Sequence, residues 1–169
     1  MRKAGLLAVF LIFTPVILWS QASRKAEIDT RQWRYEVEGV GEGKDGTYLI
    51  KVWSYSKKPE VAIEQAKKNV IHGVIFRGFT GSGRVTSQPP LARDPGIEFS
   101  KKDFFDPFFK DGGNYMKYVS ISGDGVVAAE DRLKVGKEYK IGVVVSVRKD
   151  QLKSDLVAAG VIRPLDSGF

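Results

Sequence analysis

The chain has 169 residues, with 27 Lys and Arg against 20 Asp and Glu, a net charge of +7, a single histidine and no cysteine. Without cysteine it forms no disulfides, and direct lipoprotein acylation, which needs a cysteine at the cleavage site, is excluded. One histidine without cysteine does not make the usual zinc ligand sets, and the interspersed charges lack the like-charge block of a nucleic-acid tail.

Arg2-Lys3 precedes an uncharged run from Ala4 to Trp19, and Ser20-Gln21-Ala22 follows as a small-x-small cleavage site. That order predicts a signal peptide over residues 1–22. The apolar run is interrupted by Pro15 and falls short of the roughly twenty residues that span a bilayer. The expectation is export to the periplasm or the outer membrane, with no transmembrane span in the mature chain. Loss of Arg2 and Lys3 takes the net charge from +7 to +5. What remains is sized for one domain, residues 33–162, between a tail at 23–32 and another at 163–169.

Trp33, Tyr35 and Val37 alternate with Arg34, Glu36 and Glu38, which predicts a half-buried strand from Trp33 to Val40. Residues Gly39 to Gly46 read as a turn containing Asp45-Gly46. From Thr47 to Tyr55 alternation resumes, with Tyr48, Ile50 and Val52 on one face and Leu49, Lys51, Trp53 and Tyr55 on the other, so the two strands make a hairpin. The turn matches GxGxxG at Gly41, Gly43 and Gly46. A dinucleotide site needs a helix after the third glycine, and Thr47 opens a strand. The stretch Gly78 to Val85 resembles a phosphate loop but lacks its Lys and the following Ser or Thr.

Pro59 and Glu60 suit a helix start, and Ile63, Ala66, Val70 and Val74 recur at helical spacing. A helix is expected from Pro59 to about His72, extending to Phe76 before Gly78 stops it, with Lys68 on its outer side. His72 near its end is expected to cap the helix or to lie on the surface.

Tyr35-Glu36-Val37-Glu38-Gly39-Val40-Gly41, followed by a helix carrying Ala62 and Ala66, and the strand and short helix from Tyr139 to Gly160, resemble two known groups. These are the small envelope proteins related to LPP-type outer-membrane lipoproteins and the N-terminal domain of a flagellar basal-body ring protein. The mature chain as a whole is similar to uncharacterised exported proteins of Bacteroides-type bacteria. The resemblance implies an α/β domain serving as a scaffold or assembly accessory at the outer membrane, with no catalytic residues to carry over. The missing lipid-accepting cysteine and a long middle section depart from that pattern.

That middle section runs from Phe79 to Gly113. Its first part, to Ser100, reads as loop, with Gly81-Ser82-Gly83, Pro89-Pro90 and Asp94-Pro95-Gly96 as breakers. Phe104, Phe105, Phe108 and Phe109 then form a helical stripe that either plugs the core or faces a partner. Pro107 objects to one continuous helix. Either Ser100 and Asp103 form a capping box, or Asp106 caps a second helix opened by Pro107.

A strand is expected from Tyr115 to Ser122, with Met116, Tyr118 or Val119, and Ile121 as candidates for burial. After a turn at Ser122 to Gly125, Val126 to Leu133 reads as extended, although Ala128-Ala129-Glu130 also suits a short helix. In the strand Tyr139 to Val147, Tyr139, Ile141, Val143, Val145 and Val147 share a core face. Asp150 is expected to cap a short helix carrying Leu152 and Leu156, ended by a left-handed Gly160.

The expected fold is α+β: a mostly antiparallel sheet of four or five strands, with the Pro59 and Asp150 helices on one face and residues 79–113 inserted. No catalytic, cofactor-binding or metal residue is predicted, and no cofactor. A Ser-His-Asp site would have to pass through His72. The sequence favours a non-enzymatic adaptor or assembly accessory of the cell envelope that binds another protein, with Phe104, Phe105, Phe108, Phe109, Trp53 and Tyr55 as candidate contacts and no nucleic acid as partner. The alternative is a periplasmic binding domain or hydrolase acting on a cell-wall or glycan ligand through Trp53, Tyr55 and nearby carboxylates.

Overall fold

The computed structural model describes residues 33–123 and 125–163. The expected signal peptide, the tail 23–32 and the residues after Arg163 lie outside that range. Strands β1 (Tyr35–Glu42) and β2 (Thr47–Ser56) form the expected antiparallel hairpin. The turn is shorter than its glycines suggest. β1 runs on through Gly39 and Gly41 by bulging at Val40, so that Gly39 faces Ile50 and Gly41 faces Leu49. The chain reverses only at residues 43–46, where Asp45 and Gly46 take φ of 54° and 67°. Gly46 lies against Asp150, whose carboxylate oxygen would stand 2.0 Å from an added Cβ.

Helix α1 (Pro59–Phe76) starts with Pro at its first turn and covers the inner face of the sheet. Gly73 lets it approach β1 closely, since a Cβ there would touch Tyr35 and Val37 at 3.3 Å. The carbonyls at its C-terminal end are taken up by the chain that follows. Gly73 O accepts from the amides of Arg77 and Gly78, Val74 O from Leu91 and Ile75 O from Ala92. Lys68, expected on the outer side of α1, is buried instead.

Residues 79–100 are more ordered than a loop. Phe79 bridges Gln88, and β3 (Thr80–Gly81) pairs in parallel with Glu38 and Gly39 of β1. A short helix α2 (Ile97–Ser100) leads into α3 (Lys102–Phe109), which keeps Pro107 inside and has no side-chain cap at its N-terminus. Neither the capping box nor the second helix at Pro107 forms. Gly113 packs on the carbonyls of Pro107, Phe108 and Lys110, with the nearest 2.4 Å from an added Cβ, so that stretch admits nothing larger.

The expected strand Tyr115–Ser122 is mostly a 3-10 turn (Asn114–Tyr118), with only β4 (Val119–Ile121) extended. Tyr115 and Tyr118 are buried there, whereas Met116 is exposed. A second 3-10 turn (Ala129–Asp131) precedes β5 (Arg132–Val135), so the extended reading of Val126–Leu133 holds only at its end. β6 (Glu138–Arg148) is the hub, pairing antiparallel with β2 on one side and with β4 and β5 on the other. The path through the sheet is β3-β1-β2-β6-β4, with β5 also on β6. It has six strands where four or five were expected, and it is mixed because of the short parallel β1 and β3 pair.

The alternation predicts the sheet's interior correctly. Ile50 and Val52 face Val145 and Val143 across β2 and β6, and Ile141 and Val147 are buried with them. Ala62, Ala66, Val70, Ile71 and Val74 of α1 complete this core. Helix α4 (Lys149–Ala158) is too short to stand alone. Burying Leu152 and Leu156 in the same core, at about 1.5–3 kcal/mol each, holds it in place. Its N-cap is Arg148, without a side-chain bond, and Asp150 sits in the first turn instead. Gly160 closes the helix at φ 65°, where Val161 N donates to Leu156 O and Gly160 N to Val157 O.

Candidate functional site

Polar residues on the sheet side of α1 converge on the start of β1. Because Tyr35 is an inward residue of β1, its ring reaches the helix, and its hydroxyl lies 2.5 Å from His72 Nδ1. His72 Nε2 is 3.2 Å from Glu98 Oε1, at the far side of the helix, on α2. With the phenol donating to Nδ1, Nε2 carries the proton and donates to the carboxylate. Trp33 stacks on the imidazole at 3.6 Å between centroids and also donates to Glu98. It does so with φ at 44°, a backbone conformation uncommon for a non-glycine residue.

Burial shapes this line of groups. His72 is 2% exposed, so the expectation of a capping or surface histidine is overturned. Burial favours its neutral form and holds its pKa below the usual histidine value, outweighing the pull of Glu98. The hydrogen bond from His72 holds the Glu98 carboxyl below the ordinary carboxylate range. Burial pushes the Tyr35 phenol up, so it stays protonated as a donor. Both imidazole nitrogens are engaged, by Tyr35 and Glu98, and among the described residues no serine is hydrogen-bonded to His72.

Glu98 opens into a groove of about 790 Å³ lined by Trp33, Lys68, Pro95, Glu98, Phe99, Lys102, Phe105, Asp106, Phe109 and Lys110. All of these except Trp33 and Lys68 come from the insertion. Its charges are largely paired: Lys102 binds Asp106, and buried Lys68 reaches Asp111 at 3.0 Å while lying over the Tyr115 ring. Phe99 is 85% exposed at the groove. Deeper in α1, Asn69 Nδ2 bonds Ser54 Oγ at 2.9 Å, and its buried Oδ1 has no partner.

The predicted contact residues separate into two places. Phe105, Phe108 and Phe109 are buried and Phe104 half-buried. Their rings meet one another, Phe76, Tyr115 and Tyr118, so the stripe is a core plug that fastens the insertion to α1. An exposed partner-binding patch of Phe108 and Phe109 is therefore not what the chain builds; Phe105 and Phe109 reach the groove only as its floor. Trp53 and Tyr55 lie on the opposite, outer face of the sheet and do not line the groove. There Lys140 Nζ sits 5.1 Å from the Trp53 ring and 2.8 Å from both Glu36 oxygens, and Tyr55 Oη donates to Glu36 at 2.8 Å. Trp53 lies flat over Gly142, where an added Cβ would meet the indole at 3.0 Å.

Trp33, Lys68, His72, Glu98 and Phe99 escaped the sequence reading. One signal was available: Gln65, Asn69 and His72 recur at four- and three-residue spacing beside the apolar stripe of α1, a helical line of polar groups that only buried partners would satisfy. Among the described residues no three His, Asp or Glu side chains gather as a metal-binding group, and no helix is long and apolar enough to cross a membrane. Comparison with protein-family models, with curated proteins and with solved structures finds no match to this chain.

Proposed function

We propose that this is an exported, non-enzymatic cell-envelope protein, periplasmic or associated with the outer membrane, which acts as an adaptor or assembly accessory by holding part of another protein in the groove of residues 79–113. The supporting observation is the make-up of that groove. It is open, its floor is aromatic, nearly all of it is supplied by the insertion, and Phe99 stands 85% exposed beside it. Phe99 extends the aromatic floor outward, so a partner seated in the groove would cover floor and ring as one apolar surface. In this reading α1 and α4 cover one face of a stiff sheet, and the phenylalanine plug fixes the groove to it. The resemblance to envelope scaffold proteins and to exported proteins of Bacteroides-type bacteria belongs to the same proposal. A glycan or cell-wall ligand would use Trp53 and Tyr55, whose rings are occupied by Lys140, Lys51 and Arg34.

A photo-cross-linking residue placed at Phe99 in native cells tests the proposal. The expected result is a discrete adduct with one envelope protein, absent when the same residue replaces Tyr55. The mature N-terminus, read by mass spectrometry, should be Ser23. A cytoplasmic protein retaining Met1, or equal labelling from both positions, would refute the reading.

A further inference from the structure

The hairpin of β5 and β6 presents a second surface, distinct from the groove. β5 pairs with β6 alone, and among the described residues no other strand covers its outer edge. The two-residue turn has Gly136 at φ 62° in its first position and joins Val135 to Glu138 as a register pair. In such a hairpin the pair closing the turn exchanges both backbone hydrogen bonds, and alternate pairs do the same. Leu133 and Val135 therefore bond inward to Lys140 and Glu138; the Arg132 amide donates to Ala129 O of the preceding 3-10 turn, and the carbonyl of Arg132 and the amide and carbonyl of Lys134 point outward.

The side chains at this edge have a consistent character. All four residues of β5 are exposed, and Leu133 and Val135 are 44% and 51% exposed on the face that carries Lys140 and Tyr55. Arg132 and Lys134 occupy the other face, with Lys137 in the turn. The salt bridge from Asp131 to Lys51 at 2.6 Å, with both side chains mostly buried, fixes the start of the strand to the sheet. The edge is thus anchored, apolar on one face and cationic on the other. Pairing with a second copy would set Arg132 opposite Lys134 about a central Leu133, and like charges facing across strands are unfavourable.

We infer that β5 is a docking edge for an extended acidic polypeptide segment, which adds as a strand through the outward carbonyl of Arg132 and the outward amide and carbonyl of Lys134. Acidic side chains of the incoming strand lie beside Arg132 and Lys134, and its alternate apolar ones beside Leu133 and Val135. The affinity comes from main-chain hydrogen bonds, and the charge selects the partner.

The test uses the purified mature chain and a labelled peptide of alternating Glu and Val, with a Lys and Val peptide as control. The acidic peptide should bind and slow amide exchange at Lys134, and the basic one should bind at least about fivefold more weakly. Lys134→Pro removes the outward amide but no bond to β6, and an edge strand tolerates it. That variant should keep its melting temperature and lose binding, while Lys134→Gln should weaken binding without abolishing it. If Lys134→Pro fails to fold, the exchange pattern in the unaltered chain decides. The inference is overturned if the acidic peptide does not bind, if both peptides bind alike, if Lys134→Pro binds as the parent does, or if the exchange effect lies elsewhere. A dimer that Lys134→Pro dissolves would assign the edge to a second copy and overturn it equally.

Discussion

Tyr35 and Glu36 are neighbours in β1, and because successive side chains point to opposite faces they found two unlike aromatic clusters. Inside, Tyr35 joins His72, Glu98 and Trp33. Outside, Glu36 joins Lys140, Tyr55 and Trp53. The inner cluster is built from neutral donors that end on a single carboxylate at the groove. The outer one is an ion pair with cation–π contacts in reach of water. The difference follows from dielectric surroundings: a buried charge is expensive unless paired, and an exposed pair is cheap to form and adds little. The inner cluster should therefore govern stability and the outer one should be nearly silent.

The largest effect is expected under the inner cluster. Phe105→Ala removes a ring that is 3% exposed and touches Phe76, Phe104, Phe108 and Phe109. It should cost about 3–5 kcal/mol in denaturant unfolding. A loss under 1 kcal/mol would mean that the insertion is not part of the core. Next comes Tyr35→Phe, which leaves the buried His72 Nδ1 without a partner, for about 1–3 kcal/mol. An unchanged midpoint would show that the hydrogen bond contributes nothing.

The pH dependence sharpens the contrast further. Burial depresses the His72 pKa below 6.5, so the unfolded chain binds more protons there, and the associated stability is present above 6.5 and lost as pH falls below it. Glu98 is also depressed, below 4.5, and its contribution is likewise lost as pH falls through its folded value. In urea melts, His72→Gln should remove the first loss and, because the His72 hydrogen bond is the main cause of the Glu98 depression, diminish the second. If parent and variant decline in parallel between pH 7 and 5, His72 is not the group responsible. The smallest effect is expected from Lys140→Ala on the outer face, at most about 1 kcal/mol and shrinking with added salt. A larger, salt-insensitive loss would abolish the distinction between the two clusters.

The parts of the fold that were readable from sequence are those where one physical rule acts alone. β2 and β6 alternate because one face is buried, and α1 begins at Pro59 because its missing amide costs nothing there. Gly160 ends α4 at a left-handed position with both bonds of the expected cap. The insertion was harder. The end of α1 is satisfied by amides of Leu91 and Ala92, a tertiary arrangement with no local signature. Lys68 and His72 look like surface residues, and they are buried only because Asp111, Tyr35 and Glu98 arrive from elsewhere in the chain. Trp33 adopts a backbone angle that its residue type disfavours, held by contacts no periodicity reveals.

The place of β6 at the centre of the sheet has a kinetic consequence. β2 and its partner β6 are more than eighty residues apart in sequence, with Thr47 opposite Arg148 and Ser56 opposite Tyr139. Every contact between Ile50, Val52 and their facing valines is thus long-range, and topologies of that kind fold slowly because a long loop must close before burial repays it. Until β6 emerges, the first hairpin and α1 have no sheet to complete. A nascent chain therefore cannot close this sheet until β6 has been made.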